Sequence, residues 1–116
     1  MIVDDEPAIR LSVREGLKSM NAEYEIVEAN GANECFKKLD NEEPPDLILL
    51  DIMMPEMDGW EVFDKLKDNP SWNKIPIIFL TARTDDIAKK AGSFMAVDYI
   101  EKPFDGRELL SVIEQI

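Results

Sequence analysis

Three aspartates at the ends of two short apolar segments could carry out phosphoryl chemistry. Asp51 closes the apolar run 47–50, and Asp4 and Asp5 follow an Ile-Val pair. The carboxyl ends of neighbouring parallel strands meet in one crevice, where ligands bind. Carboxylates gathered there repel one another and need a cation, and a few hard oxygen ligands with room for water and phosphate suit Mg²⁺. Because a carboxylate can attack phosphorus, the pattern predicts phosphoryl chemistry at Asp51.

A hydroxyl and an amine would complete such a site if their strands lie in the same sheet. Thr81 follows the apolar run 77–80, and Lys102 follows a predicted strand over 97–100. Lys102 offers a point charge to a phosphoryl oxygen, and Thr81 offers a hydroxyl donor. Taken singly, each has an ordinary alternative: acids often follow strands, Thr81 could cap the next helix, and Lys102 could be a solvated surface charge. Agreement among four strand ends favours the functional interpretation.

Short apolar runs alternate with stretches of helical period, which is typical of repeated βα units and a parallel sheet. The predicted strands are 2–3, 24–29, 46–50, 77–80 and 97–100. The predicted helices are 7–20, 32–40, 60–67, 85–92 and a last helix that begins near Asp105. Strands one, three and four are the most apolar and should lie centrally. We therefore predict an α/β fold: a flavodoxin-like (βα)5 three-layer sandwich with a parallel five-stranded sheet in the order 2-1-3-4-5.

Composition narrows the class of protein further. The chain has 116 residues, which predicts a single domain over 1–116, and its net charge of -12 argues against direct nucleic-acid binding. It has no histidine, so a phosphohistidine donor would have to be another protein. The single Cys35 is expected to be a small core residue. No apolar stretch approaches the roughly 18 residues of a membrane span and no signal peptide is visible, so we expect a cytoplasmic protein without membrane contact.

Four motifs together resemble the receiver domain of two-component response regulators. They are Val3-Asp4-Asp5-Glu6, the segment 51–59, Thr81-Ala82 and the segment 99–104. The resemblance runs through the whole chain, in the family's order and at nearly its spacing. It implies that Asp51 is the phosphoacceptor, that Thr81 and Lys102 contact the phosphoryl group, and that Mg²⁺ is the cofactor. The implied metal ligands are Asp5, Asp51 and the backbone carbonyl of Met53, with Asp4 assisting through a water.

The same resemblance implies a switch and its partners. Thr81 and Tyr99 would respond to phosphorylation and change the face made by the fourth helix, fifth strand and fifth helix. Met53 and Arg83 would tune the lifetime of the phosphoryl group, although Arg83 could equally be a solvated loop cation. The expected partners are a sensor histidine kinase or histidine phosphotransfer protein and an output domain or downstream protein. The domain would phosphorylate and dephosphorylate itself without turning over a small molecule.

Local features of the family pattern give further expectations. The Lys102–Pro103 peptide bond is expected to be cis, and Gly59 is expected at a backbone position with positive φ. Residues 95–98 depart from the family's usual Gly-Ala-Asp-Asp, so the fourth helix could end early. Val112 stands where regulators with winged-helix outputs usually carry an arginine, which puts that dimer mode in doubt while a homodimer stays open.

Three enzymatic or cofactor-binding alternatives fit less well. An aspartyl-nucleophile phosphatase needs a second acid two residues after the nucleophile, and Met53 occupies that position. A flavodoxin-like flavin binder needs a phosphate loop rich in hydroxyls and glycine after the first strand, and a dinucleotide binder needs Gly-x-Gly-x-x-Gly. Neither motif is present in the sequence.

Overall fold

The computed structural model describes residues 1–81 and 98–115. The predicted helix 85–92, Arg83, residues 95–97 of the segment that departs from the family's sequence pattern, and Ile116 lie outside the described residues. So does Val97, where the fifth strand is predicted to begin.

Five parallel strands form one sheet in the order β2-β1-β3-β4-β5, as the apolar pattern predicts. The strands are β1 (Ile2–Val3), β2 (Glu28–Ala29), β3 (Ile48–Asp51), β4 (Ile77–Thr81) and β5 (Asp98–Glu101). Every residue of β3 and β4 is buried, as expected for central strands covered on both faces. Their carboxyl ends therefore place Asp51 and Thr81 at the same edge of the sheet.

Helices cover both faces of the sheet and create two separate cores. Among the described residues they are α1 (Pro7–Ser19), α2 (Ala32–Asn41), α3 (Gly59–Asp68) and α4 (Gly106–Glu114). Alternate strand residues point to opposite faces, so Leu50 packs in the core with α2 and α3, and Leu49 in the core with α1 and α4. No helix in the described ranges is long and apolar enough to cross a membrane.

The second strand is shorter than predicted. The sequence pattern indicates a strand over 24–29, but only Glu28 and Ala29 pair, with Ile2 and Val3 of β1. Just before β2, the Val27 carbonyl accepts a hydrogen bond from the Ile2 amide at 2.8 Å. The ladder cannot reach further back along residues 24–26, because β1 begins at Ile2. The pairing partner therefore limits this strand more than its own composition does.

Gly59 is needed for a reason other than the one expected. Its φ is not positive, so that prediction is wrong; the positive φ in this loop belongs to Glu56, at 69°. A Cβ on Gly59 would lie 2.4 Å from the carbonyl oxygen of Asp51 and 2.8 Å from the Cα of Ile52. The amide of Gly59 also donates to the carbonyl of Ile52 at 2.8 Å. The glycine thus lets the first turn of α3 touch the end of β3.

A pair of glycines, Gly16 and Gly106, brings α1 and α4 into backbone contact. A Cβ built on Gly106 would lie 2.4 Å from the carbonyl oxygen of Gly16, which no side chain could tolerate. The helices therefore meet without intervening side chains at this crossing. The Asp4–Asp5 loop leads into α1, and the Lys102 loop leads into α4. The contact between the two helices therefore helps to fix the positions of the two loops relative to each other.

Candidate functional site

Lys102 joins two of the predicted acids at the carboxyl edge of the sheet. Its Nζ lies 3.0 Å from Oδ2 of Asp4 and 3.1 Å from Oδ1 of Asp51. These residues are 98 and 51 positions apart from the lysine in sequence, and they meet because β1, β3 and β5 are parallel. The Lys102–Pro103 peptide bond that follows is cis, as expected.

Two carboxylate oxygens at this edge are buried and have no hydrogen-bond partner in the described part of the chain. They are Oδ1 of Asp5 and Oδ2 of Asp51. Buried polar atoms almost always have partners, and a buried charged oxygen without one is costly. A divalent cation with hard oxygen ligands would supply both missing partners. The residues present therefore fit the Mg²⁺ that the sequence predicts.

The carboxylate of Asp4 is already in use. Its Oδ1 accepts a hydrogen bond from the backbone amide of Glu6 at 2.9 Å, and its Oδ2 accepts one from Lys102. The side chain is fully buried, so it has little access to further partners. This arrangement leaves Asp5 and Asp51 as the acids with unused oxygens, and it agrees with an indirect contribution of Asp4 to metal binding.

Glu6 is a nearby acid that belongs to the first motif but to which the sequence interpretation assigned no role. Asp4, Asp5 and Glu6 each have one carboxylate oxygen that lies within 4.8 Å of the other two. Glu6 is exposed, and its side chain forms no capping hydrogen bond to α1. Only its position directly after the two aspartates could have drawn attention to it.

The surroundings of Asp51 make its carboxyl group harder to ionise than it would be in water. Burial raises the pKa of Asp51 most, the charge of Asp4 raises it further, and Lys102 opposes both, so that the pKa moves from 3.8 to about 6. Burial alone would lower the pKa of Lys102, but its hydrogen bond to Asp4 and the charge of Asp51 outweigh that effect and raise it. The amine therefore stays protonated, as a fixed positive charge beside Asp51.

The remaining predicted site residues differ in how exposed they are. Thr81 is 1% exposed, and its carbonyl accepts a hydrogen bond from the amide of Lys102 at 2.7 Å. Tyr99 is 44% exposed on β5, where it lies opposite Phe79 of β4. The side chain of Met53, two residues after Asp51, is 64% exposed. The structure thus puts Thr81 beside the Lys102 backbone and leaves Tyr99 and Met53 open to solvent.

Comparison with known proteins agrees with this arrangement of acids and lysine. The response regulator receiver domain family matches residues 1–114. The chain belongs to this family. Receiver domains accept phosphoryl groups in two-component signalling and are signalling domains rather than enzymes in the usual case, so the phosphatase alternative is not favoured.

Individual relatives are longer than this chain. Response regulator Rre1 of Synechocystis is 32% identical over 117 residues, an alignment that includes 100% of this chain and 50% of that protein. A probable cyclic di-GMP phosphodiesterase of Vibrio cholerae is 38% identical over 104 residues, which are 89% of this chain and 23% of that protein. The receiver chain thus spans half or less of the length of these two relatives.

A solved structure matches nearly the whole receiver domain. Chemotaxis protein CheY4 of Vibrio cholerae superposes with a TM-score of 0.86 at 28% identity, covering 99% of this chain and 94% of that one. The shared strand order and helix layers place the acids and the lysine of this receiver domain at the carboxyl edge of the sheet.

Proposed function

We propose that Asp51 is the phosphoacceptor of a receiver domain that extends over residues 1–116. The observation that carries the proposal is the pairing of Lys102 with Asp51 at 3.1 Å beside a second, unpartnered oxygen of the same carboxylate. Lys102 holds one oxygen of Asp51, and the buried second oxygen still lacks a partner, so the carboxylate is fixed in place with room for a further cation. The family membership supports this assignment.

The proposed reaction transfers a phosphoryl group from a phosphohistidine of another protein. An Asp51 carboxylate oxygen attacks phosphorus, and the bond between phosphorus and the imidazole nitrogen breaks. The electron pair of that bond stays on the imidazole, which takes up a proton, and Asp51 becomes an acyl phosphate. Hydrolysis later restores the carboxylate and releases inorganic phosphate. A sensor histidine kinase or a histidine phosphotransfer protein is the donor that we propose, because this chain contains no histidine.

Asp5 and Asp51 are the side chains that we propose hold Mg²⁺, together with the backbone carbonyl of Met53. Bound there, Mg²⁺ would neutralise charge on the incoming phosphoryl oxygens. The role of Asp4 is to keep Lys102 in position and to contribute to the negative field of the site. Lys102 supplies its fixed positive charge to a phosphoryl oxygen, and Thr81 supplies a hydroxyl donor.

Signalling would follow from the contacts of Thr81 and Tyr99. Because the Thr81 carbonyl is bonded to the Lys102 amide, a shift of either residue toward the phosphoryl group would displace β4 and β5 together. We propose that this movement changes the exposed side of β5 near Tyr99 and its neighbouring helices. The partner that binds this surface is either an output domain or a separate downstream protein. A second copy of the domain, forming a homodimer, is a further candidate for the same surface. The cytoplasmic location stays a prediction.

Phosphorylation by a small acyl phosphate tests the proposal. With Mg²⁺, the wild-type domain is expected to gain one phosphoryl group, measured by intact mass, and to lose it with time. Asp51→Asn should gain none. Asp58→Asn is the matched control, because Asp58 lies in the next loop and caps α3 through the Glu61 amide, which asparagine can also do. Stoichiometric labelling of the Asp51→Asn variant would refute the assignment.

A further inference from the structure

Arg10 of α1 bridges the acidic loop and the end of a neighbouring strand. Its Nη1 donates to the backbone carbonyl of Asp4 at 2.7 Å, and its Nε donates to Oε1 of Glu28 at 3.2 Å. The Arg10 side chain is 17% exposed, so the bridge is mostly shielded from water. The guanidinium thus connects the loop that carries Asp4 and Asp5 to β2.

Glu28 is itself firmly held. Its Oε2 is paired with Arg14 one turn further along α1, and its backbone carbonyl accepts a hydrogen bond from Nζ of Lys38 on α2. Glu28 also belongs to β2, where it is paired in register with Ile2. The carboxylate that receives Arg10 therefore belongs to a fixed strand with attachments to two helices.

We propose that Arg10 is a positioning residue for the metal site. Resting on the proposed function, this inference assigns to Arg10 the task of fixing the peptide between Asp4 and Asp5, and with it the position of the Asp5 carboxylate. Only the two donors of a planar guanidinium, which point in different directions, satisfy the carbonyl and the carboxylate together. Partners of this kind behind a metal ligand commonly change metal affinity by about 10- to 100-fold.

Charge and geometry predict opposite results when Arg10 is replaced. A cation close to the acids weakens binding of a second cation, so an effect of charge alone would make Arg10→Met bind Mg²⁺ more tightly. A positioning effect makes the same variant bind more weakly, since the loop loses its tie to Glu28. The sign of the change in Mg²⁺ affinity therefore separates the two explanations.

Arg14 provides the matched control. It pairs with the same Glu28 carboxylate, but within the described residues it does not reach Asp4, and its side chain is 49% exposed. Arg14→Met removes the same charge from the same helix, and an exposed ion pair contributes little to stability. We expect its Mg²⁺ dissociation constant to stay within about twofold of the wild-type value.

The experiment titrates Mg²⁺ into the wild type, Arg10→Met, Arg10→Lys and Arg14→Met, and measures the rise in the unfolding midpoint that binding produces. Arg10→Met is expected to raise the dissociation constant about tenfold, and Arg10→Lys, which keeps the charge but not the fork, is expected to raise it as well. Urea unfolding in EDTA records each variant's own stability, so that a loss of folding is not mistaken for a loss of metal binding.

Phosphorylation at limiting and at saturating Mg²⁺ completes the test. Arg10→Met should be labelled more slowly than the wild type by the acyl phosphate at limiting Mg²⁺, and the difference should shrink as Mg²⁺ approaches saturation, because the guanidinium itself takes no part in the reaction. Unchanged or tighter Mg²⁺ binding by Arg10→Met would overturn the inference while leaving wild-type labelling intact. If the wild type neither binds Mg²⁺ nor accepts phosphate, the proposed function itself fails.

Discussion

Gly59 presses against the carbonyl of Asp51, at a distance where a methyl group would come within 2.4 Å of the oxygen. The contact joins the start of α3 to the end of β3, directly beside the phosphoacceptor that we propose. A residue with no reactive group therefore shapes the backbone from which Asp51 projects.

Gly59→Ala is expected to destabilise the domain by about 2–3 kcal/mol, because the new methyl group overpacks a backbone contact that cannot move independently. The control is Gly31→Ala, where a Cβ would meet nothing within 4 Å. Urea unfolding in EDTA measures both. If both variants lose the same free energy of unfolding, the close contact with Asp51 is not the reason that position 59 requires glycine.

Asp51→Asn should stabilise the metal-free domain at neutral pH. The pKa of Asp51 is raised from 3.8 to about 6, so the folded chain binds more protons than the unfolded chain between these values. Stability of the wild type therefore falls as pH rises through this window, and the asparagine variant avoids a loss of about 1–3 kcal/mol at pH 7.

Urea unfolding in EDTA at several pH values tests this expectation, and the advantage of Asp51→Asn should shrink toward about pH 4. Asp64→Asn, an exposed acid on α3, is the control and should change little. With Mg²⁺ the order should reverse, because only the wild type gains stability from the ion. A variant that is less stable than wild type at pH 7 in EDTA would contradict the proposed electrostatics.

Lys102→Met is expected to tighten Mg²⁺ binding several-fold while slowing phosphorylation. The ammonium occupies oxygens of Asp4 and Asp51, and its charge opposes that of a metal ion nearby. Phosphorylation slows because methionine has no positive charge to interact with a phosphoryl oxygen. Mg²⁺ titration and acyl-phosphate labelling measure the two effects, with the exposed Lys74→Met as control. Weaker Mg²⁺ binding would argue against competition between the two cations.

Cys35 should resist alkylation in the folded domain. Burial raises the pKa of its thiol from 9.0 to about 11, and the side chain is 0% exposed. Iodoacetamide at pH 8 should therefore modify it at least about 100-fold more slowly than a cysteine placed at the exposed Ser71 by Ser71→Cys in a Cys35→Ala background. In urea the two rates should converge. Rapid labelling of native Cys35 would mean that its core opens readily.

Much of the fold follows from the sequence because buried strands and amphipathic helices have distinct periods. The predicted bounds of α1, α2 and α3 lie within one residue of those observed. The prediction failed at β2, since the extent of a strand depends on how much of its neighbour is available for pairing. It also failed for Gly59, whose requirement comes from Asp51 and Ile52 in space and not from its own φ.

Some residues of the candidate site could likewise be predicted from the sequence, and others could not. Strand ends in a parallel sheet converge, so the sequence could predict that Asp4, Asp51 and Lys102 meet. Glu6 was part of the first motif but was given no role, and Arg10 was missed, because its importance depends on a contact with Glu28 that no local pattern encodes. A cation four residues after the acidic motif was the only signal available for Arg10.

The crossing of α1 and α4 at Gly16 and Gly106 has a practical consequence. Two helices whose main chains already touch have no side-chain layer between them that could be compressed. The distance between them should therefore stay constant when other parts of the domain move. Optical probes on the outer sides of these helices would supply an internal calibration. A change in the distance from β5 to either helix could then be compared with this constant distance.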